Sequence, residues 1–385
     1  MMSIAIDKPM RIVVTGADGL LGWHSRVHLH AKNCAAKFRS EPIPYDIVAI
    51  GNKSFNNSNE LEAALNGADA VLHFAGVNRA PDLEIEQANP DIALRLTSAC
   101  NKLGSSPHIV YANSTHAETD TPYGRSKSKA GKIFESFSHQ YTDLVLPHIF
   151  GECAKPFYNN VTATLVQQLI GGEEPTINPD GKVSLMHAGT AAELAIDSVT
   201  QGDFGEIRPD SFEISVQDLY DKLHKMHSLY NTNMFPEVSN NFDRDLFNAY
   251  RNATFPAAWP RQLEIHEDSR GKLFEAVKGG SGGQTFLSTT APGVTRGDHF
   301  HLRKMERFLV VKGEAVIRVR KALQGEVHEF RVTGDNPTPV DMPTLHTHSI
   351  ENIGDSDLLT LFWAHELFDN KNPDTFADKV IVREA

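Results

Sequence analysis

The sequence predicts a doubly wound, parallel α/β sheet followed by an all-β barrel. Three observations predict it. Short β-branched runs alternate with helix-like segments through the first half, the pattern of a parallel sheet. A glycine-rich turn, GADGLLG, joins the first run to the first of these helices. From Leu263 onward short strands recur between turn residues, as in a barrel or sandwich. The expected division is an α/β domain over residues 1–250, a linker at 251–262 and a barrel over 263–385. Three prolines and repeated asparagines between Phe235 and Pro260 mark that boundary.

The first strand, residues 11–15 (RIVVT), opens into Gly16, Gly19 and Gly22, and a helix-like stretch, WHSRVHLHAKN, follows. Strand, glycine turn and helix set backbone N–H groups and a helix N-terminus against a pyrophosphate. Residues 46–50 form the next strand, ahead of Gly51, Asn52 and Lys53. NAD sites usually place an acid here for the ribose hydroxyls. None is present, and Lys53 is placed to meet a 2′-phosphate, so the expected cofactor is NADPH; the other reading of Lys53 is a solvated loop lysine. Residues 70–74 (AVLHF) are a buried strand ending in Ala75 and Gly76, and residues 92–103 have helical spacing. Residues 108–112 and 143–147 complete the expected strands, so ligands belong at the sheet's carboxyl edge.

Two features at that edge carry chemistry. One is Asn113-Ser114-Thr115; the other is Tyr123-Gly124-Arg125-Ser126-Lys127. Tyr123 and Lys127 share a helical face. An ammonium one turn from a phenol favours the phenolate, and such a phenol can protonate a carbonyl while hydride arrives from nicotinamide. A hydroxyl from Ser114 or Thr115 would hold the same oxygen.

The barrel segment contains GVTRGDHFHLRKMERFLVVKG, with His299, His301 and Glu306 between Gly293 and Gly313. Strand residues at i and i+2 face the same way, so both imidazoles reach one point and Glu306 can return to it from the next strand. Two imidazoles and a carboxylate suit zinc. Two candidates for a fourth ligand, His346 and His348, stand downstream in HTHSIEN. The expected strands are FLSTT, RFLVVKG, AVIRVRK, HEFRV, LLTLFWA and KVIVR, and GGSGG at 279–283 is expected to be a hairpin turn.

A length of 385 residues with 40% apolar residues accommodates two or three globular domains. The formal charge of −12 argues against a nucleic-acid surface. Cys34, Cys100 and Cys153 form no disulfide framework or metal motif, which fits a reducing compartment. No apolar run approaches a membrane span and no signal peptide is visible, so a cytoplasmic protein is expected.

TGADGLLG, HFAG, NST, YGRSK and LPHIFG resemble an extended short-chain dehydrogenase/reductase over residues 10–251. The resemblance implies a catalytic set of Tyr123, Lys127 and a hydroxyl, preferentially Thr115 over Ser114, with Gly16, Gly19, Gly22, Ala75, Gly76 and Lys127 at the cofactor. The family's Y-V-D-D stretch reads MHAGT here, without the aspartates. The barrel segment resembles a cupin. Its first motif matches at every position, and the second, from Pro343 to Asn352, makes His348 the fourth ligand, with Leu345 where the motif has glycine. R-G-x-H and DSRGKLFE also resemble the sugar-nucleotide 3,5-epimerases, with His301 in the place of their glutamine. Together the two halves resemble the bifunctional enzymes that make UDP-2-acetamido-2,6-dideoxy-L-talose for capsule and O-antigen. This implies a homodimer acting on a UDP-sugar: the cupin epimerises C3 of a 4-keto sugar, and the reductase then reduces C4. Two other readings stand beside it. One is a single-activity 4-keto reductase whose cupin is a metal-stabilised dimerisation module. The other is a catalytically dead sugar-nucleotide sensor, against which the intact Tyr123, Lys127 and metal set argue.

Overall fold

The computed structural model describes residues 8–280 and 282–382. The first elements are β1 (Met10–Thr15), α1 (Leu20–Phe38), β2 (Tyr45–Ile50), α2 (Asn52–Asn56), α3 (Ser58–Leu65), β3 (Ala70–His73), α4 (Asp82–Leu103), β4 (His108–Ser114), α5 (Pro122–Phe137) and β5 (Tyr141–Leu146). Then come β6 (His148–Phe150), α6 (Val161–Gly171), β7 (Lys182–His187), α7 (Ala188–Gln201), β8 (Gly205–Ile207), β9 (Phe212–Ser215), α8 (Val216–Asn231), β10 (Met234–Phe235) and α9 (Asn241–Thr254). Strands follow: β11 (Ile265–Asp268), β12 (Gly271–Phe274), β13 (Lys278–Gly279), β14 (Gln284–Thr290), β15 (Thr295–Phe300), β16 (Glu306–Lys312), β17 (Glu314–Lys321), β18 (Val327–Thr333), β19 (Val340–Met342), β20 (His346–Asn352), β21 (Leu358–Ala364) and β22 (Phe376–Ala377).

The chain forms two compact units. One comprises Met1–Phe150, Phe157–Asn160 and Lys182–Ile214; the other Gly151–Pro156, Val161–Gly181 and Ser215–Ala385. In the first unit six parallel strands run in the order β2-β1-β3-β4-β5-β8. Side chains alternate across the sheet, so each strand feeds two cores. Val13, Val71, Ile109 and Tyr111 pack with Leu61, Leu96, Ala130 and Phe134. Ile12, Val14, Leu72 and Val110 pack with Leu29, Ala191, Ala195 and Ile196 on the other side. This is the expected doubly wound sheet.

The second unit holds two antiparallel sheets, β14-β21-β16-β19 and β18-β17-β20-β15-β22. Phe308, Val310, Val340, Met342 and Phe362 from one sheet meet Ile317, Val319, Phe330, Val332 and Ile350 from the other in one core. Four sequence expectations differ from this packing. The compact units do not divide at 250. Residues 251–262 are not a linker: Arg251 lies fully buried in α9, and Trp259 joins the barrel core. The GGSGG segment does not join a hairpin, because β13 pairs with β10 and β14 pairs with β21; Ser281 lies outside the described residues. KVIVR is not a strand among the described residues; Arg383 lies outside them, and the Val380 carbonyl instead accepts from Arg320 Nε at 2.9 Å.

Helices α8 and α9 dock on the barrel through a buried ion pair. Arg307 and Asp341 are both inaccessible to solvent. Arg307 Nε and Nη2 donate to the two Asp341 oxygens at 2.6 and 2.9 Å, and Tyr230 on α8 donates to Asp341 at 2.6 Å. Trp259 Nε1 donates to the Asp341 carbonyl at 2.7 Å. Removing one partner strands the other charge in a water-free site. Asp341→Ala is therefore expected to cost roughly 3–5 kcal/mol of unfolding free energy by chemical denaturation, and a loss below about 1 kcal/mol would contradict the pairing.

Candidate active sites

The first site begins at the glycine turn. Gly16 has φ +63°, and a Cβ there would lie 2.7 Å from the Ala75 nitrogen. A Cβ at Gly22 would lie 2.1 Å from the Gly16 carbonyl. Only glycine lets the turn close this tightly against the end of β3. Gly19 caps α1 with no side-chain bond, and the first turn of α1 has no acid. By contrast Thr121, Ser215 and Asn240 cap α5, α8 and α9. The free N–H groups of α1 fit a pyrophosphate, so these residues suit a dinucleotide. Ala75 and Gly76 follow β3 beside the turn, where the Ala75 N–H donates to Thr15 Oγ1 at 3.3 Å. Lys53 is exposed in the first turn of α2. Asp18 from the glycine turn reaches over Gly51 and lies 3.8 Å from Arg26. It is a carboxylate beside the end of β2 that came from the turn rather than from β2.

Strand β4 runs through Ser114, two residues past the expected end. Ser114 accepts the His116 N–H at 3.2 Å, and it is the group that acts on the Tyr123 phenol against burial. Thr115 is exposed at the start of a 3-10 turn. Ser114 ends β4 and Thr115 follows it, exposed, so both candidate hydroxyls stand at the carboxyl edge of the sheet. Thr121 accepts the Gly124 N–H at 3.0 Å and, with Pro122 in the first turn, starts α5 so that Tyr123 and Lys127 project from one face. Burial raises the Tyr123 phenol and Ser114 pulls it partly back, so it is protonated at neutral pH. The buried Lys127 ammonium donates to the Ala112 carbonyl at 2.6 Å and lies 4.1 Å from the centre of the Tyr111 ring. Burial lowers Lys127 to about 7, with Asp143 acting in the opposite direction.

The second site lies in the barrel, where His299, His301, Glu306 and His348 converge: one ligand atom from each lies within 4.8 Å of the others. His299 sits opposite His348 across β15 and β20, after a bulge at Asp298 (φ +56°). Glu306 opens β16 in the facing sheet. Its Oε2 lies 2.9 Å from His301 Nε2 and 3.5 Å from His348 Nε2. The Nδ1 atoms of His301 and His348 face the carbonyls of Asp374 and His346, at 2.5 and 3.1 Å. A carbonyl only accepts, so each Nδ1 carries the proton and each Nε2 presents a lone pair toward a carboxylate. Such an arrangement needs a cation between the atoms, a proton or a metal ion. Both Nε2 atoms are buried without a satisfactory hydrogen bond, and the donor set suits zinc. Burial opposes charge on Glu306, but His301 and His348 outweigh it and hold the carboxyl well below its usual range. Burial, with His348 and His301, lowers His299 to about 2, so it stays neutral and available as a ligand.

Leu345 takes φ +60°, the left-handed conformation that a glycine would adopt freely. Its N–H donates to the His301 carbonyl at 2.7 Å, so the turn forms despite the side chain. His346 is buried, contacts the Thr344 carbonyl through Nδ1 at 2.8 Å, and stands outside the four-residue cluster. The sequence reading missed Asp374. Its carboxylate accepts the backbone N–H groups of Leu302, Arg303 and Lys304 at 3.1, 2.9 and 2.8 Å, holding the loop between His301 and Glu306. No local spacing pointed to it.

The chain belongs to the NAD dependent epimerase/dehydratase family, whose model matches residues 12–207. Residues 266–376 match a polysaccharide biosynthesis C-terminal domain. A Pseudomonas aeruginosa protein named UDP-2-acetamido-2,6-beta-L-arabino-hexul-4-ose reductase is 30% identical over 383 residues, covering 96% of this chain and 99% of its own. The capsular polysaccharide assembling protein CapF of Staphylococcus aureus has a crystal structure that is similar over 96% of this chain and 100% of its own, at 28% identity and TM-score 0.58. A Haloferax volcanii protein described as a probable low-salt glycan biosynthesis epimerase is 28% identical over 126 residues, 30% of this chain and 81% of its own. Among the described residues no helix is long and apolar enough to cross a membrane.

Substitution separates the two candidate hydroxyls. Ser114→Ala is expected to lower kcat for nicotinamide-dependent turnover by about 10²-fold or more, as loss of a donor to a reacting oxygen does. Thr115→Ala is expected to leave it within the same order of magnitude. Steady-state kinetics on both variants checks this, and the opposite ranking would restore Thr115.

Proposed function

We propose that this chain is a bifunctional sugar-nucleotide enzyme. The barrel epimerises C3 of a UDP-2-acetamido-2,6-dideoxy-4-hexulose, and the N-terminal unit reduces C4, giving the L-talo sugar nucleotide. The observation that carries the proposal is the presence in one chain of the Ser114, Tyr123 and Lys127 set and the enclosed His299, His301, Glu306 and His348 cluster. The full-length likeness to a reductase of a UDP-linked 4-keto sugar supports the substrate class. The same reading makes the chain a cytoplasmic homodimer acting before capsule or O-antigen assembly.

Chemistry orders the steps. A C4 ketone acidifies the neighbouring C3–H, so a base removes that proton and the electron pair delocalises onto the C4 oxygen. Reprotonation from the other face inverts C3 with no net gain or loss of atoms. Zinc held by the four barrel residues would supply positive charge for that oxygen or hold the site's shape. Reduction removes the ketone and with it the acidity of C3–H, which traps the epimer. Bound NADPH supplies the hydride to C4. Tyr123 gives its proton to the C4 oxygen, Ser114 donates to the same oxygen, and the Lys127 charge stabilises the phenolate left behind. The choice of NADPH rests on Lys53 and on a β2 end without its own acid; Asp18, beside Arg26, is the opposing charge.

The name of the Pseudomonas relative mentions reduction alone, which favours a second reading: a single-activity reductase with a metal-stabilised barrel. Incubation with the 4-keto substrate in D2O without NADPH decides between them. The proposal expects deuterium at C3 in the wild type and in Tyr123→Phe, while Tyr123→Phe loses C4 reduction by roughly 10²–10⁴-fold. No exchange in the wild type leaves the reductase reading. Loss of both activities in folded Tyr123→Phe would contradict the division of labour.

A further inference from the structure

Strand β5 carries a carboxylate that the reading above does not use. Tyr111 and Asp143 are register partners on adjacent parallel strands, so their side chains share a face. The Lys127 ammonium rests over the Tyr111 ring on that face. Asp143 Oδ2 accepts from Asn113 Nδ2 at 3.1 Å, and Asn113 Oδ1 accepts the Ser114 N–H at 2.9 Å. Asp143 and Asn113 thus lead to Ser114, which acts on the Tyr123 phenol. The second oxygen, Oδ1, is buried. Gly131, one turn past Lys127, leaves room for this cluster: a Cβ there would lie 3.2 Å from the Tyr141 hydroxyl and 3.5 Å from Asn113 Nδ2. A cavity of about 510 Å³, bordered by Asn113, Gly131, Tyr141, Asp143, Glu206 and Arg208, lies beside the carboxylate.

We propose that Asp143 is a positioning residue for the reductase: it supplies the counter-charge for the buried Lys127 ammonium and, through Asn113, orients Ser114 toward Tyr123. The inference rests on the reductase role given above. An ammonium removed from water loses its proton readily unless a negative charge stands near. The charged and titratable groups around the pair are His73 from β3, Tyr111 from β4, Tyr123 from α5, Tyr141 from β5 and Glu206 from β8. His73 is held neutral, lowered to about 3 first by burial and then by Lys127. Asp143 is raised by burial, with Asn113 and Tyr141 drawing it back. Of these carboxylates, Asp143 is the one that acts directly on Lys127.

The sign follows. Lys127 must be charged to stabilise the Tyr123 phenolate, so reduction falls as pH rises through its titration. Without the Asp143 charge that fall begins at lower pH. The test titrates Lys127 directly by NMR of 13C-labelled lysine, assigned with Lys127→Ala, in the full chain without substrate. Asp143→Asn is expected to weaken proton affinity at Lys127 about tenfold, which is one pH unit, and Asp143→Glu to restore most of it. The basic limb of the kcat/KM profile for 4-keto reduction shifts by the same amount. Asn113→Ala keeps the charge, so it lowers kcat with the Lys127 titration nearly unchanged. An unmoved Lys127 titration in folded Asp143→Asn overturns the proposal, whatever the substrate. A wild type that shows the NMR shift on substitution but no 4-keto reduction overturns the reductase reading instead. If Asp143→Asn does not fold, the Asn113→Ala protein decides: a lowered kcat supports the orienting role and an unchanged kcat contradicts it.

Discussion

An ionisable group removed from water must be given a partner or lose its charge, and this structure depends on that constraint at each of its functional points. Arg307 and Asp341 answer it with a two-pronged ion pair that joins helices to the barrel. Lys127 answers it with the Ala112 carbonyl, the Tyr111 ring and the Asp143 charge. Three imidazoles around Glu306 answer it only if a cation joins them. The first arrangement is structural. The other two lie in the candidate sites.

The two candidate sites are built on different principles. The reductase site is assembled from the ends of adjacent elements, where β4 stops at Ser114 and α5 starts at Thr121. Its residues come within a short stretch of chain, so the strand end and the helix cap suffice to align them. The barrel site gathers residues from two facing sheets. Its geometry is set by a bulge at Asp298, by the left-handed Leu345 and by Asp374 gripping the loop between two ligands. A change in any of these supports would move a ligand without touching it.

Much of this was legible in the sequence, for physical reasons that also mark where legibility ends. Strands β1 to β5 are read from β-branched runs because both faces of the sheet are buried. The H-x-H and Glu306 spacing is local, and so is Tyr123 to Lys127. Helix α9 was hidden by the asparagines before it, one of which, Asn240, is its N-cap; the prolines after it read as a linker although Trp259 is core. KVIVR has strand composition, but its described residues, 379–382, lie outside the sheets, with Val380 held by Arg320. Thr115 was preferred over Ser114 from the resemblance alone, because no local pattern showed that β4 runs on through Ser114. Asp143 and Asp374 escaped because their partners lie on other elements, and no motif spacing connects them.

The chemistry proposed for the barrel requires an enclosed metal ion rather than a proton shared among His301, His348 and Glu306. Elemental analysis of the protein purified without chelators, joined to anomalous X-ray scattering, tests it most directly. The account predicts one zinc per chain, with the anomalous peak between His299, His301, Glu306 and His348. A metal-free protein whose melting temperature is unchanged by added zinc would contradict it and make these residues an ordinary polar barrel interior.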